Sequence, residues 1–81
     1  MTTFFFDCYD GPNLYADAEG LDCEGPSEIR EQAIRLLLDV ARDNIPDTAR
    51  FRRLRIKVQD DAGACVLETR LVFTVKDRQL N

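Results

Sequence analysis

The sequence contains no histidine, so the chain lacks the side chain that proteins use most often as a general base and as a metal ligand. It also lacks a glycine-rich phosphate loop, and its acidic residues do not follow the EF-hand pattern. No cysteine stands in a Cys-x-x-Cys pair, which is a common redox and zinc arrangement. We therefore expect a protein that is not an enzyme and that needs no metal or cofactor.

Long apolar runs are absent as well, since no segment approaches the ~18 residues that cross a bilayer. The first ten residues, MTTFFFDCYD, have neither the basic start nor the apolar run of a signal peptide. The three cysteines are odd in number and widely spaced, which argues against a secreted disulfide scaffold. These features predict a cytoplasmic protein without membrane contact. We expect Cys8 and Cys65 in the core and Cys23 in a loop, where it could be exposed.

The most regular pattern covers residues 27–45 and predicts a helix, with Ser27 as its N-cap and Pro46 just beyond its end. At 100° per residue, its apolar side chains spread over roughly half of the circumference, more than a surface helix needs. One group faces a sheet: Ile29, Ala33, Leu36, Leu37 and Val40. The surplus group is Ile34, Leu38 and Ile45. Either the loop from residue 10 to 25 or a second molecule must cover that surplus.

Strands are predicted on both sides of this helix from alternating apolar residues. In the first strand, Phe4, Phe6 and Cys8 point inward. After the helix, Leu54, Ile56 and Val58 alternate with basic residues, and a hairpin loop with a left-handed Gly63 follows. The predicted strands are residues 3–9, a short strand at 14–16, residues 51–59 and residues 64–76, with an acidic loop at 17–25 and the hairpin loop at 60–63.

The hairpin register follows from matching apolar phases. We expect Ile56 opposite Leu67 and Arg55 opposite Glu68, and the first strand beside the last. The order of elements predicts an α+β fold, in which an antiparallel sheet of three to four strands carries one amphipathic helix on one face, β-(β)-α-β-β. The 81 residues form a single domain, with an ordered core at about 3–76 and a frayed tail at 77–81.

Charge is unevenly distributed along the chain. Residues 1–30 hold seven of the 15 acidic residues and one of the 11 basic ones. Arg53, Arg55 and Lys57 alternate along one strand, and Phe5 and Tyr9 belong to the same sheet face, so this face could bind single-stranded nucleic acid or another anionic partner. Against this interpretation stand the acidic first third and a pI near 4.7. The bases could instead balance the chain's own acids.

The acidic loop also has two interpretations. Its four carboxylates could bind calcium, since hard cations take several oxygen ligands. A solvated loop whose acids cap the helix and turns is the alternative that the spacing favours. The acids concerned are Asp17, Glu19, Asp22 and Glu24.

A family resemblance rests on short motifs spread over residues 3–76. An aromatic strand ends in Phe6-Asp7, then come Asp10-Gly11, Asp17-x-Glu19-Gly20, an amphipathic helix, and two strands joined by Asp61-x-Gly63. This order resembles a family of small bacterial proteins known as a domain of unknown function. The resemblance implies this fold order and a bacterial cytoplasmic origin, and it carries no catalytic residue. The Asp-x-Glu-Gly step before a helix is also similar to antitoxin domains of the HicB type.

From these observations we expect a small cytoplasmic interaction module without enzymatic activity. Self-association as a homodimer through the surplus helix residues Ile34, Leu38 and Ile45 is the first hypothesis. Binding of nucleic acid or another anionic partner through the basic sheet face is the second, and an antitoxin-like regulatory role is the third.

Overall fold

The computed structural model describes residues 2–78. Within these residues, five strands and one helix follow one another as β1 (Thr2–Asp10), β2 (Asn13–Tyr15), β3 (Leu21–Cys23), α1 (Pro26–Asn44), β4 (Phe51–Gln59) and β5 (Cys65–Thr74). The strands form one antiparallel sheet, and α1 packs across one of its faces. The fold class is therefore α+β, as expected. The sheet has five strands instead of three to four, because the three-residue β3 is too short to show an alternation.

The strand order is β2-β1-β4-β5, and β3 pairs with the other end of β1. The expectation that the first strand lies beside the last was wrong, since β1 pairs with β4. The inward side chains of β4 explain its central place: Leu54, Ile56 and Val58 are between 0 and 2% exposed. A strand with an entirely apolar inward face buries the most apolar surface when it has a neighbouring strand on each side.

The β4–β5 register differs from the expected one by two residues. Ile56 lies opposite Thr69, and Arg55 lies opposite Arg70. The shift has two causes. One is a bulge in the pairing between Val58 and Gln59, and the other is the hairpin loop, which is closed by a hydrogen bond from the Asp60 N–H to the Ala64 carbonyl at 2.9 Å. A two-residue shift leaves every side chain on its face, so alternation cannot detect it. Gly63 has the predicted left-handed conformation, with φ of 85°.

Eight side chains form the core between α1 and the sheet: Phe6, Cys23, Ile29, Ala33, Leu37, Leu54, Ile56 and Val58. Phe4 and Cys8 are partly buried against it. The other two cysteine predictions were wrong, since Cys23 is 1% exposed and Cys65 is exposed. Cys23 turns inward because β3 pairs with β1, and Cys65 lies at the bulge, where regular alternation is interrupted.

The helix begins one residue earlier than predicted. Gly25 is its N-cap, without a side-chain hydrogen bond, and Pro26 occupies the first turn, so Ser27 is not the cap. Proline suits this position because its missing N–H would have no partner there. At the other end the Ile45 N–H reaches the Ala41 carbonyl at 3.2 Å, and Pro46 follows. Of the expected frayed tail, residues 79–81 lie outside the described residues, and Asp77 forms an ion pair with Arg50.

Candidate functional site

The acidic loop closes the outer edge of β1. β2 pairs with one end of this edge and β3 with the other, and the gap between them is filled by one carboxylate. Asp17 Oδ2 accepts the Phe6 N–H at 3.1 Å, while Asp17 Oδ1 accepts the N–H groups of Glu19 and Gly20, both at 3.1 Å. The side chain of Asp17 therefore replaces the strand that is missing at Phe6.

A second carboxylate holds this loop to the sheet. Asp7 is 8% exposed, and its Oδ1 accepts the Asp17 N–H at 2.9 Å. Its Oδ2 accepts a hydrogen bond from Nε2 of Gln59 at 3.1 Å. We call Asp7, Asp17 and Gln59 the edge clip. Burial opposes the ionisation of Asp17, but hydrogen bonds from the Gly20, Phe6 and Glu19 N–H groups outweigh it, and the pKa of Asp17 lies below its usual value.

Gly20 is required by this loop geometry. Its φ is 77°, and a Cβ atom there would lie 2.6 Å from Cγ2 of Thr3 and 3.0 Å from Cε1 of Phe5. The Asp17-x-Glu19-Gly20 motif is thus explained by folding: the aspartate caps backbone groups and the glycine permits close approach. Within residues 2–78, no cluster of acids and cysteines has a geometry that would hold a metal ion.

Neither Cys8 nor Cys23 is an activated thiol. Burial raises the pKa of Cys23 above its ordinary value, and the nearby carboxylates of Glu28 and Asp22 raise it further. Burial likewise raises the pKa of Cys8, with Asp10 adding to the effect. A reactive cysteine needs the opposite environment, one that stabilises the thiolate. Exposed Cys65 has a free thiol that contacts the Leu67 carbonyl at 3.6 Å.

The basic residues of β4 lie on the sheet face opposite α1, which we call the open face. The guanidinium of Arg55 lies 4.1 Å from the ring centroid of Tyr9, a close cation–π contact. Arg53 has a longer contact with Phe51, at 5.9 Å. Lys57 stands between Asp7 and Glu68 in the strand register, so acidic neighbours flank its charge.

The open face contains a shallow cavity of about 470 Å³. Arg53, Arg55 and Arg70 line it together with Tyr9 and Val72. Glu68 is the acid beside this group: its Oε1 accepts Nε of Arg70 at 2.8 Å and lies 3.8 Å from Arg55. The hydrogen bond from Arg70 lowers the pKa of Glu68. Arg70, which sequence analysis did not single out as a site residue, thus joins two of the predicted basic residues.

The surplus helix residues separate into two groups. Ile45 is half-buried and packs against the core, while Ile34 is 40% and Leu38 54% exposed. The opposite flank of α1, with Gln32 and Leu36, faces β1 across a groove of about 390 Å³. Ile34 and Leu38 therefore lie on the β5 side of the helix, away from the loop at residues 10–25.

β5 forms the second sheet edge and, in the described part of the chain, pairs only with β4. The Val75 N–H donates to the Arg50 carbonyl at 2.8 Å. Because backbone groups alternate in direction along a strand, odd-numbered residues of β5 point theirs toward β4 and even-numbered residues point theirs outward. Beyond the bulge, the peptide groups of Glu68, Arg70 and Val72 thus form an open row of donors and acceptors in the described chain, on the same side of the domain as Ile34 and Leu38.

Within residues 2–78, these features define a small α+β domain with one closed sheet edge and one open one. The chain belongs to the family described as "Domain of unknown function (DUF6894)", whose family model matches residues 3–74. This confirms the resemblance to a family of uncharacterised domains. No curated protein and no solved structure matches the chain. No helix in the part described by the structure is long and apolar enough to cross a membrane.

Proposed function

We propose that this protein is a small, non-enzymatic, cytoplasmic interaction module of bacterial origin that self-associates as a homodimer. The surface that carries the proposal consists of the outer edge of β5 together with Ile34 and Leu38, and we call it the β5–α1 surface. Its open row of peptide groups is the single most informative observation. Long exposed edge strands recruit further strands unless something covers them.

The contrast between the two sheet edges supports this assignment. On the β1 side, two short strands and the Asp17 carboxylate cover the backbone groups. On the β5 side, ten residues from Cys65 to Thr74 are left without such cover within the described chain. An apolar helix flank beside an unpaired edge is the combination that a second copy would bury.

The dimensions are also suitable for two copies. α1 packs mainly against β4 and β5 and less against β1, so its axis lies between the line of β4 and the space beside β5. Neighbouring strands are about 4.8 Å apart. Joining two β5 edges would then bring the two helix axes to roughly 10–14 Å from each other, which approaches the 8–10 Å at which helices pack. Ile34 and Leu38 would meet their counterparts in that contact.

A sedimentation series from micromolar to millimolar protein tests self-association. We expect the wild-type chain to form dimers as concentration rises, and Leu38→Glu to shift the equilibrium toward monomer, since it places a charge in an apolar contact. The matched control is Leu14→Glu, because Leu14 is 51% exposed and lies in β2 at the other edge. A wild-type chain that remains monomeric throughout would contradict the proposal, as would equal effects of the two variants.

A second candidate function, binding of single-stranded nucleic acid, is favoured by the contact of Arg55 with Tyr9 beside the arginine-lined cavity. Such a platform can hold a phosphate and stack a base. Titration of a labelled oligonucleotide should show binding that weakens as salt rises and that is lost in Arg53→Glu. Lys57→Glu is the control, since acids already flank Lys57. No binding at low salt would exclude this function. The antitoxin-like role remains an untested prediction.

A further inference from the structure

We infer that the partner on the β5–α1 surface is a second β5 strand, paired antiparallel with Thr69 on the two-fold axis, so that Glu68 faces the partner's Arg70. This inference rests on the proposed self-association and adds the register to it. Three independent features of β5 select that register: the direction of its peptide groups, the order of its charges, and a buried hydroxyl.

Peptide direction limits the possible registers. Since even-numbered residues of β5 point their N–H and carbonyl groups outward, two strands can exchange hydrogen bonds only when an even residue faces an even residue. With Thr69 on the axis, Glu68 and the partner's Arg70 exchange both hydrogen bonds. Thr69 and the partner's Thr69 then form a non-hydrogen-bonded pair, in which Cα atoms are about 4.5 Å apart and side chains are closest.

Charge selects among the registers that remain. With Thr69 on the axis, each Glu68 is opposite an arginine, and Leu67 is opposite the partner's Leu71. Moving the axis by one residue toward the strand's start would place two Glu68 side chains opposite each other. Moving it one residue the other way would place two Arg70 side chains opposite each other. Like charges directly opposite are destabilising, and opposite charges are stabilising.

The hydroxyl of Thr69 is the third feature. Thr69 Oγ1 is buried and has no hydrogen-bond partner in the described chain, and leaving a buried hydroxyl unpaired is unfavourable. The proposed axis brings the two Thr69 side chains next to each other on the helix side of the sheet. Because the chain's own atoms cover Oγ1, each Thr69 side chain must rotate about its Cα–Cβ bond to reach its counterpart. Each hydroxyl can then donate to or accept from the other, which is a common cross-strand interaction.

Charge exchange provides the first test, by sedimentation of Glu68→Arg and Arg70→Glu separately and mixed. In the proposed register, each variant alone places like charges opposite each other twice, which should weaken its homodimer about tenfold or more. The equimolar mixture restores both opposite-charge contacts and should form a heterodimer. The double variant Glu68→Arg/Arg70→Glu should dimerise again, and its thermal melt controls for folding.

Cross-linking provides the second test, in a Cys65→Ser background that removes the exposed thiol. Thr69→Cys should form an intermolecular disulfide on mild oxidation, because the expected Cα separation lies within disulfide range. Val72→Cys is the control, since its register partner is Val66 and its own counterpart lies six residues away, about 20 Å along the strand.

The outcomes of these tests distinguish the proposed register of the two β5 strands from self-association itself. Dimers in which Val72→Cys cross-links and Thr69→Cys does not, or in which the charge mixture fails to associate, would overturn the register while leaving self-association in place. A chain that is monomeric at every concentration would overturn both. Formation of the heterodimer together with the Thr69→Cys disulfide would establish the register.

Discussion

Replacing Asp17 by alanine should destabilise the fold strongly, because one carboxylate serves three backbone N–H groups. Those of Phe6 and Gly20 are partly buried, and that of Glu19 is exposed. A hydrogen bond to a charged group contributes about 1.5–3 kcal/mol, and an exposed donor can turn to water instead. Counting only the two partly buried donors, Asp17→Ala should lower the free energy of unfolding by about 3 kcal/mol or more.

This decrease is large compared with the total free energy of unfolding of a small domain. Small domains have about 0.05–0.15 kcal/mol of stability per residue, so a chain of this length has roughly 4–12 kcal/mol. Urea unfolding followed by circular dichroism measures the difference. Glu19→Ala is the matched control, since the Glu19 side chain is exposed and makes no hydrogen bond in the described chain. Its free energy of unfolding should change by less than about 0.5 kcal/mol.

The pH dependence gives an independent check on Asp17. Its pKa in the folded chain lies below its usual value, so its stabilising contribution is present above the unfolded pKa and is lost as pH falls through the folded one. The stability difference between wild type and Asp17→Ala should therefore be constant near neutral pH and shrink in acid. A small effect of Asp17→Ala, or a difference that does not change in acid, would refute the edge clip.

Three further predictions concern other residues. Gly20→Ala should lower the free energy of unfolding by more than Gly11→Ala in urea titrations. Both glycines have positive φ, so both substitutions strain the backbone, but of the two only Gly20 has neighbouring atoms within 4 Å of the place that a Cβ atom would take. A thiol reagent should modify exposed Cys65 quickly and buried Cys23 only when the chain unfolds, so the rate of Cys23 modification should rise with denaturant concentration. Thr69→Val should raise the stability of the dilute monomer by about 1 kcal/mol, since it removes an unpaired buried hydroxyl, yet should weaken the dimer in sedimentation; a less stable monomer would contradict this account.

The central elements of the fold could be predicted because their patterns are long. The periodicity at residues 27–45 located α1 to within one residue at each end, and the alternation of Leu54, Ile56 and Val58 located β4. The strand order and the β4–β5 register could not be predicted in this way. Alternation has a period of two residues and is unchanged by a two-residue shift, and it does not indicate which strand becomes a neighbour.

The candidate site was predictable only in part. Arg53 and Arg55 were recognised because they alternate along a strand, whereas Arg70 joins them only through the observed register. The roles of Asp7 and Asp17 depend on a loop that follows no regular period. An aspartate two or three residues before a glycine is nevertheless typical of a side-chain-capped turn, and that signal could have identified Asp17.

Amide hydrogen exchange of β5, measured by NMR at low and high protein concentration, distinguishes a β5 edge that pairs with a second copy from one that stays open. The proposed strand pairing predicts that the outward N–H groups of Glu68 and Arg70 become protected as concentration rises, while that of Thr69, which points toward β4, stays protected throughout. If Glu68 and Arg70 exchange at the same rapid rate at every concentration, the β5 edge is not an interface between copies of this chain.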